Sequence, residues 1–323
     1  MLVLIIYALT FAVGLPANVF TFLTLLIRIR CYRPHPHLTA ADLLLLHLTT
    51  ADLLLLLFLP FKMAEAAAKM LWPFSTALCP IANFCFYSSI YLSTLFMAAL
   101  SVERYFGVVF PHRYNRRRRL WRTMAASAVL SVMALSHCSI VLWQNITGSL
   151  TQRHRGYRCY DDFSQAQLRF VLPLRLELFL VLFLIPFAIT MFCYIRLIRA
   201  LLTRPHIPPQ KKYRTVGLAV VTMVNFGICF GPYNISHVVG FVQQRSPEWR
   251  PYALLLTTLS AALDPFISIS PPVQCGGRSV GWVEQFGTQC VGFGVGVGRD
   301  NEPQPGGGYG VNEVVVIGVG LMG

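Results

Sequence analysis

The sequence predicts an all-α membrane protein, a bundle of seven transmembrane helices. Three observations carry this prediction. Hydrophobic residues make up 55% of the 323 residues and mean hydropathy is +0.57. Only 12% of residues are charged, whereas a soluble domain carries about 25%. Apolar stretches near the roughly 20 residues that a spanning helix needs recur seven times.

The first span is expected over 2–27. It starts at Met1 and runs too long for a cleavable signal peptide, so it should act as its own insertion signal with almost no ectodomain before it. The second, 39–62, carries Asp52 in the middle of an apolar run. The third, 80–109, opens just after Cys79 and ends on Glu103-Arg104-Tyr105. The fourth, 123–143, follows an Arg-rich run at 116–119. The fifth, 171–198, is interrupted by Pro186, and the sixth, 214–241, by Pro232. The seventh, 251–270, contains Asp264-Pro265. Of the nine cysteines, Cys85, Cys138, Cys193 and Cys229 fall inside spans, where the thiol behaves as a small hydrophobe.

Charge orients the bundle. Fifteen of the 27 basic residues lie in the loops after spans one, three and five, with no acidic residue among them. The opposite loops dilute their basic residues with Glu65, Asp161, Asp162 and Glu248. The positive-inside rule puts the basic loops in the cytoplasm and the N-terminus outside. This distribution also accounts for the net charge of +14 without nucleic acid, and makes anionic membrane lipids the natural contacts of those loops.

Residues 271–323 form a separate segment, with 15 glycines and recurring Gly-Val pairs. Such composition buries no core and predicts disorder. It also fits translation of a non-coding repeat or an unusual splice form, which transcript sequencing across the codons near Ile267 would decide.

Charges inside a bilayer usually have a partner and a task. Arg175 lies near the outer end of span five, Arg250 begins span seven, and His237 follows Pro232 on span six. A guanidinium in a low-dielectric cavity seeks an anion, and its fork matches a carboxylate bidentately. Two arginines and a histidine converging at one end of a bundle would make a carboxylate trap. Pairing of Arg175 with Glu177 competes with this reading, but residues two apart face different sides of a helix.

Several motifs occur in order: Gly14-Leu15-Pro16-Ala17-Asn18, Leu48-Thr49-Thr50-Ala51-Asp52-Leu53-Leu54, Cys79 with Cys159, Glu103-Arg104-Tyr105, and the prolines of the last three spans. Over residues 1–267 the chain resembles a rhodopsin-like G-protein-coupled receptor. Phe86-Tyr87-Ser88-Ser89-Ile90-Tyr91, His137-Cys138, Leu172-Pro173-Leu174-Arg175-Leu176-Glu177-Leu178 and Cys229-Phe230-Gly231-Pro232-Tyr233-Asn234-Ile235-Ser236-His237 resemble the short-chain free fatty acid receptors, the type 2 receptors more than type 3.

The resemblance implies a receptor for acetate, propionate and butyrate. Arg175, Arg250 and His237 would hold the carboxylate, while Tyr233, His137 and Tyr87 would shape the pocket. Arg104 would pair with Glu103 at rest and be released toward a heterotrimeric G protein, of the inhibitory or Gq class, with Tyr194 stabilising it in the active state. Arrestin is a further implied partner. Asn18, Asp52, Ser93, Ser260 and Asp264 would form a polar relay, with an allosteric sodium ion at Asp52 as the one non-protein component; a purely structural polar network is the alternative there. Cys79 and Cys159 would form a disulfide. Asn145-Ile146-Thr147 is a glycosylation sequon near the outer end of span four, whereas Asn234-Ile235-Ser236 lies in span six and should be silent.

The chain departs from the family at Ser131, where a Trp is usual, and at Phe230, as the subfamily does. After Asp264-Pro265 come Phe266-Ile267-Ser268-Ile269-Ser270-Pro271-Pro272. The family's aromatic residue at position 268 and the basic amphipathic helix beyond it are missing, which predicts weakened signalling and trafficking. Within the receptor class the alternative is a receptor for another small carboxylate, and two other function classes compete. A monocarboxylate transporter would favour internal repeats with broken helices at the midplane, and no repeat is visible. An intramembrane enzyme would need a catalytic constellation, and neither Gly-x-Ser-x-Gly nor His-Glu-x-x-His occurs.

Overall fold

The computed structural model describes the backbone of residues 2–31, 39–75, 77–110, 116–149, 165–204, 207–268, 274–275 and 278–279. Its helices are α1 (Leu2–Cys31), α2 (Ala40–Ala67), α3 (Leu78–Val109), α4 (Arg116–Ser149), α5 (Gln165–Leu178), α6 (Ile185–Leu202), α7 (Pro209–Asn225), α8 (Gly231–Gln243) and α9 (Arg250–Ser268). A π turn, Phe179–Leu184, joins α5 to α6, and another, Phe226–Phe230, joins α7 to α8. Each joined pair is one membrane-crossing rod, so seven rods result. Six of them are long and apolar enough to span a membrane by length and composition. The seventh, α9, has 19 residues and packs against α1, α2 and α8.

Local chemistry explains the starts and breaks. Thr39 and Asp42 cap α2 reciprocally: the Asp42 N–H donates to Thr39 Oγ1 at 3.1 Å, and the Thr39 N–H donates to Asp42 Oδ2 at 3.1 Å. Both π turns are followed directly by a proline, Pro186 at the start of α6 and Pro232 at the start of α8. Proline removes a helix N–H and its ring crowds the preceding turn, and a widened turn accommodates it.

Within a bundle, a carbonyl deprived of its donor by proline needs another. Pro265 lies inside α9, and the carbonyl four residues earlier, Ala261 O, accepts from Asn18 Nδ2 of α1 at 2.6 Å. Gly14 allows that approach: a Cβ there would lie 3.2 Å from Leu56 and 3.4 Å from the Ala262 backbone.

The main core runs along α3, with Phe86, Ile90, Tyr91 and Phe96 packed against Leu55, Leu56, Phe226 and Phe230. Many exposed large side chains on α1, α4 and α6, such as Leu9, Val129, Val132 and Phe192, are apolar, as lipid contact requires. The chain divides into two units, Met1–Ser270 and Pro271–Gly323. In the second, the described residues are two antiparallel two-residue strands, β1 (Gln274–Cys275) and β2 (Arg278–Ser279), with Gln274 opposite Ser279. The rest of the Gly/Val-rich segment lies outside the described residues.

Helix ends shift relative to the sequence reading. α2 continues to Ala67, so Glu65 belongs to the same helix as Lys62 rather than to a loop. α4 continues to Ser149, so Asn145 falls in its last turns, though its side chain lies outside the described residues.

Candidate functional site

Arg175 and Arg250 are both buried, at 2% and 4% exposure. Arg175 sits on α5, just before the π turn, and its Nη1 donates to Ser246 Oγ at 2.8 Å. Ser246 lies in the turn between α8 and α9, where Gln244 adopts a left-handed conformation (φ 53°) that ends α8. Arg250 opens α9. Its Nη2 donates to the Tyr233 hydroxyl at 3.3 Å, with the guanidinium 5.6 Å from the Tyr233 ring centroid.

Tyr233 ties the group together. Its ring meets His237 edge to face at 4.8 Å and stacks with Tyr87 at 6.2 Å. His237 Nε2 lies 3.2 Å from the Tyr91 hydroxyl and feels both guanidinium charges. Its Nδ1 is buried and makes no hydrogen bond among the described residues. Three helices thus bring Arg250, His237, Tyr233 and Tyr87 into one linked cluster, and Arg175 of α5 binds Ser246 in the turn that leads into Arg250. An acid's carboxylate would meet two cations there, with an imidazole nitrogen still able to bond.

His137 has its own partners. Its Nδ1 donates to Met133 O at 2.7 Å, and its Nε2 lies 2.8 Å from Glu177 Oε1, so both ring nitrogens face acceptors. These contacts make His137 a bridge from α4 to α5. The same pair shows where Glu177 turns, away from the possible pairing with Arg175.

Two groups escaped the sequence reading. Lys62 Nζ and Glu65 Oε2 form an ion pair at 2.8 Å, buried at 8% and 5% exposure. The lysine lies 5.8 Å from the Phe86 and Tyr87 ring centroids. The legible signal was opposite charges three residues apart at the end of an apolar run. Tyr91 and Ser246 also serve the cluster, and no local pattern marks either.

At the other end of α3, Arg104 Nη1 donates to the Tyr194 hydroxyl at 3.2 Å. Glu103 departs from the expected pairing with its neighbour. Its carboxylate takes Arg119 of α4, with Nε 2.7 Å from Oε1, and Arg119 Nη2 donates to the Glu103 carbonyl at 2.9 Å. Residues adjacent in a helix point about 100° apart, so a fork reaching in from α4 meets Glu103 squarely. Arg204 donates to Val108 O and Val109 O at 2.7 and 3.2 Å, capping the orphan carbonyls at the end of α3. Tyr105 lies among Phe106, Phe110 and Phe192.

Midway, Ser93 donates to Asp52 Oδ1 at 2.9 Å, and Asn225, which sequence reasoning also missed, donates to Asp264 Oδ1 at 2.9 Å. Asn18 bridges α1 to α9 as described, and Ser260 donates to Thr257 O at 2.8 Å. Asp264 Oδ2 and Asn18 Oδ1 are buried and have no hydrogen-bond partner among the described residues. Among the described residues no three His, Cys, Asp or Glu side chains group as metal ligands. The donor set is nevertheless all oxygen with two carboxylates, which fits a hard monovalent cation such as sodium. Cys79 is disulfide-bonded, while Cys159 lies outside the described residues. Asn234 is fully buried and donates to Phe230 O at 2.9 Å.

Residues 24–267 match the model of the 7 transmembrane receptor (rhodopsin family). Free fatty acid receptor 2 of Rattus norvegicus is 46% identical over 274 residues, spanning 82% of this chain and 80% of that protein. The Homo sapiens protein of the same name is 45% identical over 268 residues, 82% and 80% of the two chains. Free fatty acid receptor 3 of Mus musculus is 45% identical over 266 residues, 81% and 80%.

Proposed function

Because this chain belongs to the rhodopsin family of seven-transmembrane receptors, we propose that it is a receptor for short-chain fatty acids that signals through heterotrimeric G proteins. It is a multi-pass protein of the plasma membrane, from a family of receptors rather than enzymes. The carrying observation is the pair of buried arginines, Arg250 bonded to Tyr233 beside His237 and Arg175 bonded to Ser246, with His237 Nδ1 making no hydrogen bond among the described residues. The similarity to free fatty acid receptors 2 and 3 supports a fatty acid as the anion.

In this reading Arg175 and Arg250 hold the carboxylate of acetate, propionate or butyrate, His237 donates to it, and Tyr233 and Tyr87 wall the short tail. So small a ligand offers few apolar contacts, and affinity is bounded near 1.5 kcal/mol per heavy atom. Binding is therefore weak, matched to abundant metabolites, and rests on the charge-assisted contacts. The N-terminus and the acid site face outward, and the basic loops face the cytoplasm. Arg104 and Tyr194 form the G-protein switch, inhibitory or Gq class, with arrestin as a later partner. Cys79 pairs with Cys159 in the oxidising exterior, and Asn145 carries glycan. A sodium ion between Asp52 and Asp264 would balance two carboxylates that burial otherwise penalises.

The deciding experiment expresses the chain in cells and measures cyclic AMP. A propionate-dependent fall, abolished by inactivating inhibitory G proteins, supports the receptor. Uptake of labelled acetate with no G-protein response would instead establish a monocarboxylate transporter.

A further inference from the structure

The turn between α8 and α9, residues 244–249, folds back against α8. Gly240 O accepts from the Gln244 N–H and, at 3.2 Å, from the Arg245 N–H. Two donors on one late carbonyl, with Gln244 left-handed, reverse the chain tightly at a helix end. Gly240 permits this. A Cβ there would lie 3.2 Å from Arg245 O, 3.4 Å from the Pro247 ring and 3.8 Å from Leu172 of α5. The first of these contacts is with backbone, which cannot swing aside as a side chain can. Glycine in a helix costs about 1 kcal/mol against alanine, so here helix stability is exchanged for close approach.

The turn then meets both arginines. Ser246 Oγ accepts from Arg175 Nη1 at 2.8 Å. One residue on, Pro247 O accepts from the Arg250 N–H at 3.2 Å, where α9 begins. Both guanidinium charges reach His237. Two like charges directed at one place repel, so each needs a restraint. Arg250 is restrained by Tyr233 and by the turn's own backbone. Arg175 stands on a different rod, and Ser246 ties it to the same turn. A planar guanidinium held at one corner keeps its other donors in a fixed plane.

We propose that the turn from Gly240 to Ser246 is a clamp that positions Arg175: Gly240 lets the turn close, and Ser246 fixes the guanidinium beside Arg250 and His237. The proposal rests on the reading of Arg175 as a carboxylate ligand. Gly240 and Ser246 are positioning residues, acting through Arg175 rather than on the acid. They therefore govern how tightly the acid is held, not how far the receptor responds once it is bound.

The test compares the full chain with Ser246→Ala, Ser246→Thr and Gly240→Ala. Propionate dose–response curves in cells, normalised to surface expression, separate potency from maximal response. Ser246→Ala should lose roughly tenfold in potency, as for one hydrogen bond to a charged group, at an unchanged maximum. Ser246→Thr keeps the hydroxyl and should match the parent. Gly240→Ala should lower potency in the same way, although alanine favours the helix. Hydrogen–deuterium exchange of the peptide spanning 244–250, in detergent-solubilised protein, needs no agonist. Ser246→Ala and Arg175→Ala should each speed that exchange, and the double variant should go no further than either. Parent-like potency in Ser246→Ala, equal losses in the alanine and threonine variants, or a double variant that exchanges faster than both single ones would overturn the proposal. Should the parent chain ignore propionate, the functional reading fails while the exchange comparison still judges the clamp.

Discussion

Two arginines with opposite tasks show how much a single side chain decides. Arg250 binds Tyr233 and, in the proposed function, the acid; removing it deletes half of the charge that the ligand needs. Arg175→Ala and Arg250→Ala are each expected to abolish the response to acetate and propionate at normal surface expression, and a wild-type-like response in either would refute the trap. Tyr233→Phe removes only the acceptor of a neutral oxygen and should cost about 0.5–1.5 kcal/mol, a several-fold loss of potency. Arg119 acts differently, because it occupies Glu103 while Arg104 reaches Tyr194. Arg119→Ala leaves the Glu103 carboxylate beside Arg104 without its partner. The acid is then expected to capture Arg104, lowering agonist-driven nucleotide exchange on the G protein roughly tenfold. Adding Glu103→Gln should restore the loss, and additive losses in that double-mutant cycle would sink the idea. The charged residues were legible in the sequence because an ionisable group within an apolar run is conspicuous. Their partners were not: Ser246 and Arg119 lie 71 and 16 residues from the groups they hold, and only folding brings them near.

Prolines control the elements. Each one is visible in the sequence, as is the break it predicts, but the manner of the break depends on what the neighbouring rods supply. Ahead of Pro186 the rod widens into a π turn and takes a hydroxyl from α3. At Pro265 the helix continues and takes an amide from α1. The donor in each case comes from another helix, so no window of local sequence records it. Asn18→Ala removes the amide and leaves Ala261 O buried and unpaired, which costs about 1–3 kcal/mol. The melting temperature of the detergent-solubilised protein should fall accordingly, while Asn18→Asp, whose carboxylate cannot donate, should offer no rescue. A melting temperature unchanged by Asn18→Ala would mean that the vacated carbonyl needs no donor.

At the scale of the whole molecule, the cluster at Tyr87 and Tyr91 and the Arg104–Tyr194 pair lie toward opposite ends of α3, and the polar centre at Ser93 stands between them. Ser93 on α3 bonds Asp52 on α2, and Asn225 on α7 bonds Asp264 on α9, so movement of the α7–α8 rod against α9 must rearrange the second bond. Seven-rod architecture was readable from hydropathy alone, and so were both aspartates, since carboxylates stand out in apolar runs. Asn225 was not, because an amide in an apolar run draws less notice than a charge. A cation lodged between Asp52 and Asp264 would favour whichever arrangement keeps the two carboxylates in reach. It would stabilise that state in proportion to the logarithm of its occupancy. A ligand shifts an equilibrium only by its differential affinity for the two states. If sodium belongs to the resting arrangement, raising sodium must lower propionate potency, and Asp52→Asn must remove that dependence. Replacing sodium with a bulky organic cation at constant ionic strength separates the specific effect from screening of the arginines. Potency that ignores sodium in the parent chain would leave the aspartates as a structural network, held by Ser93 and Asn225 alone.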